Sequence, residues 1–282
     1  MADVTIRFLP PAEPLRQAIA FYYVVRIGSE AVEDLLHPDG AHVRLVLAGD
    51  WRMSFANGGS ASANGPNAFF TGPLSRAAMV HGGPHAVMVG VALWPPGWAL
   101  LSDRSAADFI DALYPLADLL GEDAREVLEA LLPLDDDSAY AGVLDRWLLS
   151  RLAARPPVDP IVAATHLGLE DVEVASVAEW ARRLGCSTRR LERLTRDYIG
   201  LAPKRLLRRQ RFLRSSASLR AEPLGGWSRV IDEGYADQPQ FTREFKHFMG
   251  MSPRAYFARQ TPLTTAAAIA RKALAQSADG PV

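Results

Sequence analysis

The side chains best placed for chemistry are arginines and glutamines in two stretches fifty residues apart. Laying Leu191–Leu207 over Phe241–Phe257 pairs Arg193 with Arg243, Gly200 with Gly250 and Pro203 with Pro253. Arg196 meets Lys246, and the apolar Leu191 and Tyr198 meet Phe241 and Phe248. The pattern predicts, twice over, a basic amphipathic helix ended by a left-handed glycine cap, with a proline opening the next helix. Guanidinium groups bind phosphate and pair bidentately with guanine, and glutamine can do the same with adenine. The chemistry this implies is recognition of double-stranded DNA.

Each copy follows a short helical stretch and a glycine turn: Ser176 to Leu184 before Gly185, and Trp227 to Glu233 before Gly234. Helix, tight turn, helix is the expected unit. In the first, Ser176 and Glu179 form a capping box, and Val177, Trp180, Ala181 and Leu184 give an apolar face. Ser187 caps the second helix, which buries Leu191, Leu194 and Tyr198 and turns Thr188, Arg189, Arg190, Glu192, Arg193 and Arg196 outward. The second unit offers Gln238, Gln240, Thr242, Arg243 and Lys246 around buried Phe241 and Phe245. A connecting helix over Pro203–Leu219, about 25 Å long, would hold the two units roughly one turn of DNA apart, near ~34 Å. Its Lys204, Arg205, Arg208, Arg209, Arg211 and Arg214 are expected to add phosphate contacts.

The charge distribution agrees. The chain of 282 residues has a net charge of −1, yet residues 1–159 hold 11 Lys/Arg against 20 Asp/Glu, whereas residues 176–259 hold 18 against 8. A basic block in an otherwise acidic chain is the footprint of one part that neutralises phosphates and another that does not.

The elements that must carry these helices are of two kinds. From Ile6 to Leu93, short apolar runs (Phe21–Ile27, Val43–Leu47, Trp51–Phe55, Ala86–Leu93) alternate with Gly, Pro, Asn and Asp, which predicts an antiparallel barrel or sandwich. Beyond Ser102 the period becomes helical, through Phe109, Leu113, Leu116 and Leu120, then Val127 to Leu131, then Val143 to Leu152. Residues 1–155 are therefore read as a β-barrel domain with flanking helices, and the proline-rich 156–160 as a stiff linker. Residues 161–260 are read as an all-α domain of two helix-turn-helix units joined by a long helix, and 261–282 as a tail, partly helical or disordered. The fold class is α+β. With 49% hydrophobic residues and no apolar run uninterrupted enough to span a bilayer, the expectation is a soluble cytoplasmic protein with no membrane partner.

Residues 161–260 resemble the C-terminal domain of AraC-type bacterial transcriptional regulators. The run from Gly234 to Tyr256 (GYADQPQFTREFKHFMGMSPRAY) carries the likeness, and Leu191–Pro203 matches the corresponding part of the first unit. The resemblance implies that the second helix of each unit enters the major groove, giving Arg189, Arg190, Arg193, Gln238, Gln240 and Arg243 a contact role. Thr195 departs from the usual aromatic, and Trp227–Gly234 is one residue short of the pattern. Residues Leu36–Gly40, Thr71–Leu74 and Val89–Gly97 resemble a divergent cupin-like sensor domain. That likeness implies a small-molecule effector inside the barrel and a homodimer formed through the flanking helices; for a DNA-binding activator, RNA polymerase is a further expected partner.

Other chemistries have weaker footing. His37, His42, His81 and His85 lack the His-x-His and following Glu of a metal site, so no metal or cofactor is expected. Cys186 is read as a small buried residue, Asp135–Asp137 as a solvated or capping run, and Trp51, Trp94 and Trp98 as core or cavity walls. No Ser/His/Asp set or phosphate-cradling loop stands at catalytic spacing, so the chain is not read as an enzyme. The alternatives are a metal-dependent cupin enzyme with an accessory helical domain, and a constitutive regulator whose N-terminal domain only dimerises.

Overall fold

The computed structural model describes residues 3–170, 174, 176–221 and 234–276. Ten strands come first: β1 (Val4–Leu9), β2 (Ile19–Ile27), β3 (Val32–Leu36), β4 (His42–Ala48), β5 (Asp50–Ser54), β6 (Ser60–Asn64), β7 (Asn67–Thr71), β8 (Ala78–Gly82), β9 (Val87–Leu93) and β10 (Leu113–Pro115). They form a six-stranded sheet, β1-β2-β9-β4-β7-β10, and a four-stranded sheet, β3-β8-β5-β6. Every pairing in the two sheets is antiparallel.

The larger sheet is covered on both faces, which explains why its strands read as unbroken apolar runs. Along β4, Val43 and Leu45 face a helical layer, while the alternate residues His42, Arg44 and Val46 face the smaller sheet. In β2, Tyr22 and Val24 face the helices, and Tyr23, Val25 and Ile27 face the smaller sheet with Trp51, Met53 and Val80. The helical layer comprises α1 (Pro95–Leu101), α2 (Ala117–Leu120), α3 (Glu122–Leu131) and α4 (Asp137–Ala154). Its Trp98, Val127, Leu131, Leu144 and Leu148 are buried against the sheet.

The stretch expected to be helical through Phe109, Leu113, Leu116 and Leu120 is instead a 3-10 turn (Ala106–Phe109), strand β10 and the single turn of α2. Asp111 breaks it by adopting φ +52°, held there as its carboxylate accepts hydrogen bonds from the Ser75 backbone and hydroxyl at 2.7 and 2.5 Å. Pro115 then stands at the end of β10, paired with Phe69 at the sheet edge.

Among the described residues seven further helices follow: α5 (Pro160–Glu170), α6 (Val177–Arg183), α7 (Thr188–Ile199), α8 (Pro203–Ala221), α9 (Gln238–Met249), α10 (Pro253–Phe257) and α11 (Pro262–Gln276). The last occupies much of the stretch read as a tail, and it returns to the sheets. Leu263 is buried in the core between them, and the Thr264 backbone N–H donates to the buried Asp34 carboxylate at 2.8 Å. A charge-assisted bond of this kind is worth about 1.5–3 kcal/mol when buried. Among the described residues no helix is long and apolar enough to cross a membrane.

Candidate nucleic-acid interface

The fifty-residue repeat is a structural repeat. Helices α7 and α9 each run for 12 residues, begin after a side-chain cap and end at a left-handed glycine. Ser187 Oγ accepts from the Arg190 N–H at 3.2 Å, and Asp237 Oδ1 accepts from the Gln240 N–H at 2.6 Å. At the other ends Gly200 and Gly250 have φ of +84° and +74°, a region that glycine enters without steric cost. Ser252 then caps α10 through the Ala255 N–H at 3.2 Å.

The cores beneath the two helices differ in kind. Under α7, Trp180, Leu191, Ile199, Leu201 and Leu206 pack together. Thr195 is fully buried there, and its hydroxyl is satisfied within the helix by the Glu192 carbonyl at 3.3 Å. Tyr198, expected on the buried side of its own unit, turns instead to the core between the six-stranded sheet and its helices. Under α9 the core is aromatic: Phe241, Phe245 and Phe248 meet Tyr235, Tyr256 and Phe212 of α8, with Phe212 and Phe248 stacked at 4.7 Å. The entry helix of the second unit, Trp227–Glu233, lies outside the described residues.

Of the residues expected to meet DNA, Thr188, Arg189, Arg190, Arg193, Arg196, Gln238, Arg243 and Lys246 are exposed, and Gln240 and Thr242 are half-buried. Among the described residues Arg189, Arg193, Arg196, Arg243 and Lys246 form no ion pair, although Arg193 lies near enough to Asp159 to help lower its carboxyl. Arg190 and Gln240 are committed elsewhere. Arg190 pairs with Asp159 of the proline-rich linker at 2.5 Å, and this guanidinium holds the Asp159 carboxyl below the usual carboxylate range. Gln240 Oε1 accepts from the Ala236 N–H at 2.8 Å, tying the helix start to the residue before its Asp237 cap. In this arrangement its carbonyl is unavailable for a bidentate contact with adenine.

The spacer also corrects the expectation that all its cations face phosphate. Lys204, Arg205 and Arg208 are exposed, but Arg208 pairs with Glu244 at 2.7 Å and lies over Phe248. Arg209 is 7% exposed, buried by the sheets, and its guanidinium donates to the carbonyls of Asp39 at 3.1 Å and Leu74 at 3.3 Å. Arg211 and Arg214 are half-buried. On sequence alone an arginine on an amphipathic basic helix looks the same whether it meets phosphate or another part of the chain.

Contacts with the sheets engage the C-terminal ends of α7 and α9 and leave their N-terminal turns open. The Ser105 hydroxyl donates to the Arg196 carbonyl at 3.2 Å, and the Ala77 N–H to the Phe248 carbonyl at 2.7 Å. His37 Nε2 lies 2.7 Å from the Tyr256 hydroxyl, and Trp94 stacks on His166 of α5 at 4.4 Å. Both units are thereby fixed to the sheets that precede them. Cys186 is half-buried, and burial pushes its thiol up, away from a reactive thiolate.

Between the sheets lies a cavity of about 180 Å³. Trp51 lines it, whereas Trp98 packs with Phe70 and Phe109 on the helical side and Trp94 serves the stack on His166. His37 and His42 also face the cavity; His81 and His85 do not. Among the described residues no group of three or more His, Cys, Asp or Glu side chains is placed to hold a metal ion.

Residues 180–259 match a family model described as a helix-turn-helix domain. No curated protein matches the chain. Among solved structures the chain is similar to ToxT from Vibrio cholerae, with 11% identity over 90% of this chain and 97% of that one at a TM-score of 0.46. It is also similar to ToxT bound to an unsaturated fatty acid, at 11% identity, 90% and 94% coverage and a TM-score of 0.44. A cupin superfamily protein from Desulfitobacterium hafniense matches 32% of this chain and 77% of its own at 11% identity and a TM-score of 0.26.

Proposed function

We propose that the chain is a sequence-specific, DNA-binding transcription regulator of the AraC type. The observation that carries this reading is the pair of 12-residue helices, α7 and α9, with matching caps and with uncommitted cations on their open faces. The helix-turn-helix match over residues 180–259 supports it. Arg189, Arg193 and Arg196 of the first unit and Gln238, Thr242, Arg243 and Lys246 of the second are the DNA contacts. Thr188 stands at the N-terminal turn beside phosphate, where α7 presents its free N–H groups. Gln240 holds the start of α9, and Arg190 contacts DNA only on leaving Asp159.

In this reading residues 1–155 form an effector-responsive domain, 156–160 the linker and 161–260 the DNA-binding domain, with 261–276 closing back on the first. The protein acts in the cytoplasm as a homodimer associating through the helices that flank the sheets, and it contacts RNA polymerase as an activator. It is not an enzyme. Replacing Arg243 by Ala should relax base preference at one position, whereas Lys246→Ala should weaken all sequences alike and lower the salt slope by about 1. A binding titration over a panel of single-base operator variants measures both. Equal effects of the two substitutions on every sequence would contradict the assigned roles.

A further inference from the structure

The cavity between the sheets is polarised. On one wall His42 and Arg44 stand two apart on β4 and point the same way. Arg44 is 8% exposed; its Nε donates to Thr71 Oγ1 at 2.9 Å and its Nη1 to the Tyr23 hydroxyl at 2.8 Å. It has no acidic partner among the described residues. Arg271 of α11 reaches the same space, lying over the Phe8 ring at 5.5 Å, and it too lacks an ion pair among the described residues. The one carboxylate in the lining, Asp39, sits 3.3 Å from His42 Nε2. Two guanidinium groups against one carboxylate leave the cavity with a net positive charge, with His42 neutral.

Two further polar atoms await partners. His42 Nδ1 and Trp51 Nε1 are buried with no hydrogen-bond partner, in residues 7% and 6% exposed. A ligand acceptor would satisfy Trp51 Nε1–H, whereas His42 Nδ1, unprotonated while Nε2–H donates to Asp39, calls for a donor such as a ligand hydroxyl or a water. The remaining wall is apolar, through Phe21, Val80, Met88 and Leu263. The volume, about 180 Å³, is close to the ~150 Å³ that holds a benzene ring. That space matches a single ring or a short branched chain held among the lining residues.

The geometry points to a small organic monoanion, a carboxylate on a single ring or a short branched chain, bound with its charge on Arg44 and Arg271 and its apolar body among Phe21, Val80, Met88 and Leu263. The site is shared: Leu263, Thr264, Ala267 and Arg271 come from α11, so it is incomplete until that helix closes on the sheets. Because α11 follows α10 after four residues, and Tyr256 of α10 touches His37 at the cavity wall, the ligand and the second helix-turn-helix unit share one support. This deepens the reading of the chain as an effector-responsive regulator and rests on it.

The test uses the full chain with benzoate and phenylacetate as probes, benzamide as the uncharged control, and palmitate as the long-chain control. Calorimetric titration should show binding of at least one small acid, at least tenfold weaker binding of benzamide, and no binding of palmitate. Arg271→Ala, a change at an exposed position, should weaken the small acid about tenfold or more, the loss expected for one charge-assisted bond. Arg44→Met should abolish binding, with thermal unfolding showing that the variant still folds. Hydrogen exchange in residues 262–271 should slow when the acid binds. Binding of neither small acid at millimolar concentration, equal binding of benzamide, or an unchanged affinity in Arg271→Ala would overturn the proposal. DNA binding by the ligand-free protein, measured in parallel by anisotropy, reports separately on the regulator reading.

Discussion

Replacing Asp159 by Asn should tighten DNA binding without loosening the fold. Asp159 has two jobs: its Oδ1 accepts the Ile161 N–H at 3.0 Å, capping α5, and its Oδ2 holds Arg190 at 2.5 Å. Asparagine caps a helix about as well as aspartate, so the cap survives the change. The ion pair is partly exposed, with side-chain exposures of 43% and 30%, so after solvent screening its loss should cost about 0.5 kcal/mol or less. What changes is the charge presented to DNA. If the freed Arg190 neutralises one more phosphate, the slope of log K against log[salt] steepens by about 0.9. Relative to a 1 M reference, that gain amounts to about fivefold tighter binding at 0.15 M salt and about fifteenfold at 0.05 M. Fluorescence anisotropy with a selected site, titrated at four salt concentrations, measures slope and affinity together. An unchanged slope, or weaker binding by Asp159→Asn, would refute the claim that Arg190 stands at the DNA face restrained by the linker.

Gly200 and Gly250 offer an internal control. An alanine at either position must hold a left-handed backbone, costing about 1 kcal/mol. At Gly250 the new methyl meets nothing within 4 Å, but at Gly200 it would stand 3.0 Å from both the Ala106 carbonyl and Pro73 Cγ. Gly200→Ala should therefore lose at least about twice the stability of Gly250→Ala in urea denaturation; equal losses would mean that α7 does not rest on the sheet domain in solution. Phe245→Ala, at a fully buried ring, should cost about 3–5 kcal/mol and abolish DNA binding by the second unit, read as the loss of protection of half the footprint. Full protection at both half-sites would contradict the aromatic core's role.

His42 sets a pH dependence. Burial holds its imidazole below the ordinary 6.5, against the opposing pull of Asp39 and with Arg44 and Arg271 adding to the depression. The folded state thus favours the neutral ring. The stability this gives is present above about pH 6.5 and is lost as the pH falls below it. Between pH 7 and 5 the melting temperature should fall further in the wild type than in His42→Gln; parallel curves would contradict the assignment.

The paired capped helices α7 and α9 were legible in the sequence because their signals are local. The cap at Ser187, the glycines at 200 and 250, and apolar residues at helical spacing all act within one turn of the residues they govern, and the structure adds a matching cap at Asp237. What the sequence left hidden depends on distant neighbours. Arg209 has the composition of a phosphate contact, and only the packing of α8 on Asp39 and Leu74 makes it a buried anchor. Gln240 has the chemistry of a base reader, and the Ala236 N–H occupies it. Arg44 lay in plain sight as a charge inside the apolar run His42–Ala48, a signal that the inward face of β4 is not simply core. Alternation from Val43 and Leu45 would have placed it facing the cavity. The helical continuation through Phe109 and Leu113 failed because Asp111 finds a tertiary partner in Ser75, which spacing alone does not reveal.

Selection of binding sites by the full chain from a random double-stranded DNA library tests the central claim most directly. One enriched motif per chain should emerge, with two half-sites centred about 10–10.5 base pairs apart. Substituting Arg189 and Arg193 should erase the preference in one half, and substituting Gln238 and Arg243 should erase it in the other. A library that emerges without any enriched sequence, or a motif that both double variants leave intact, would contradict that claim.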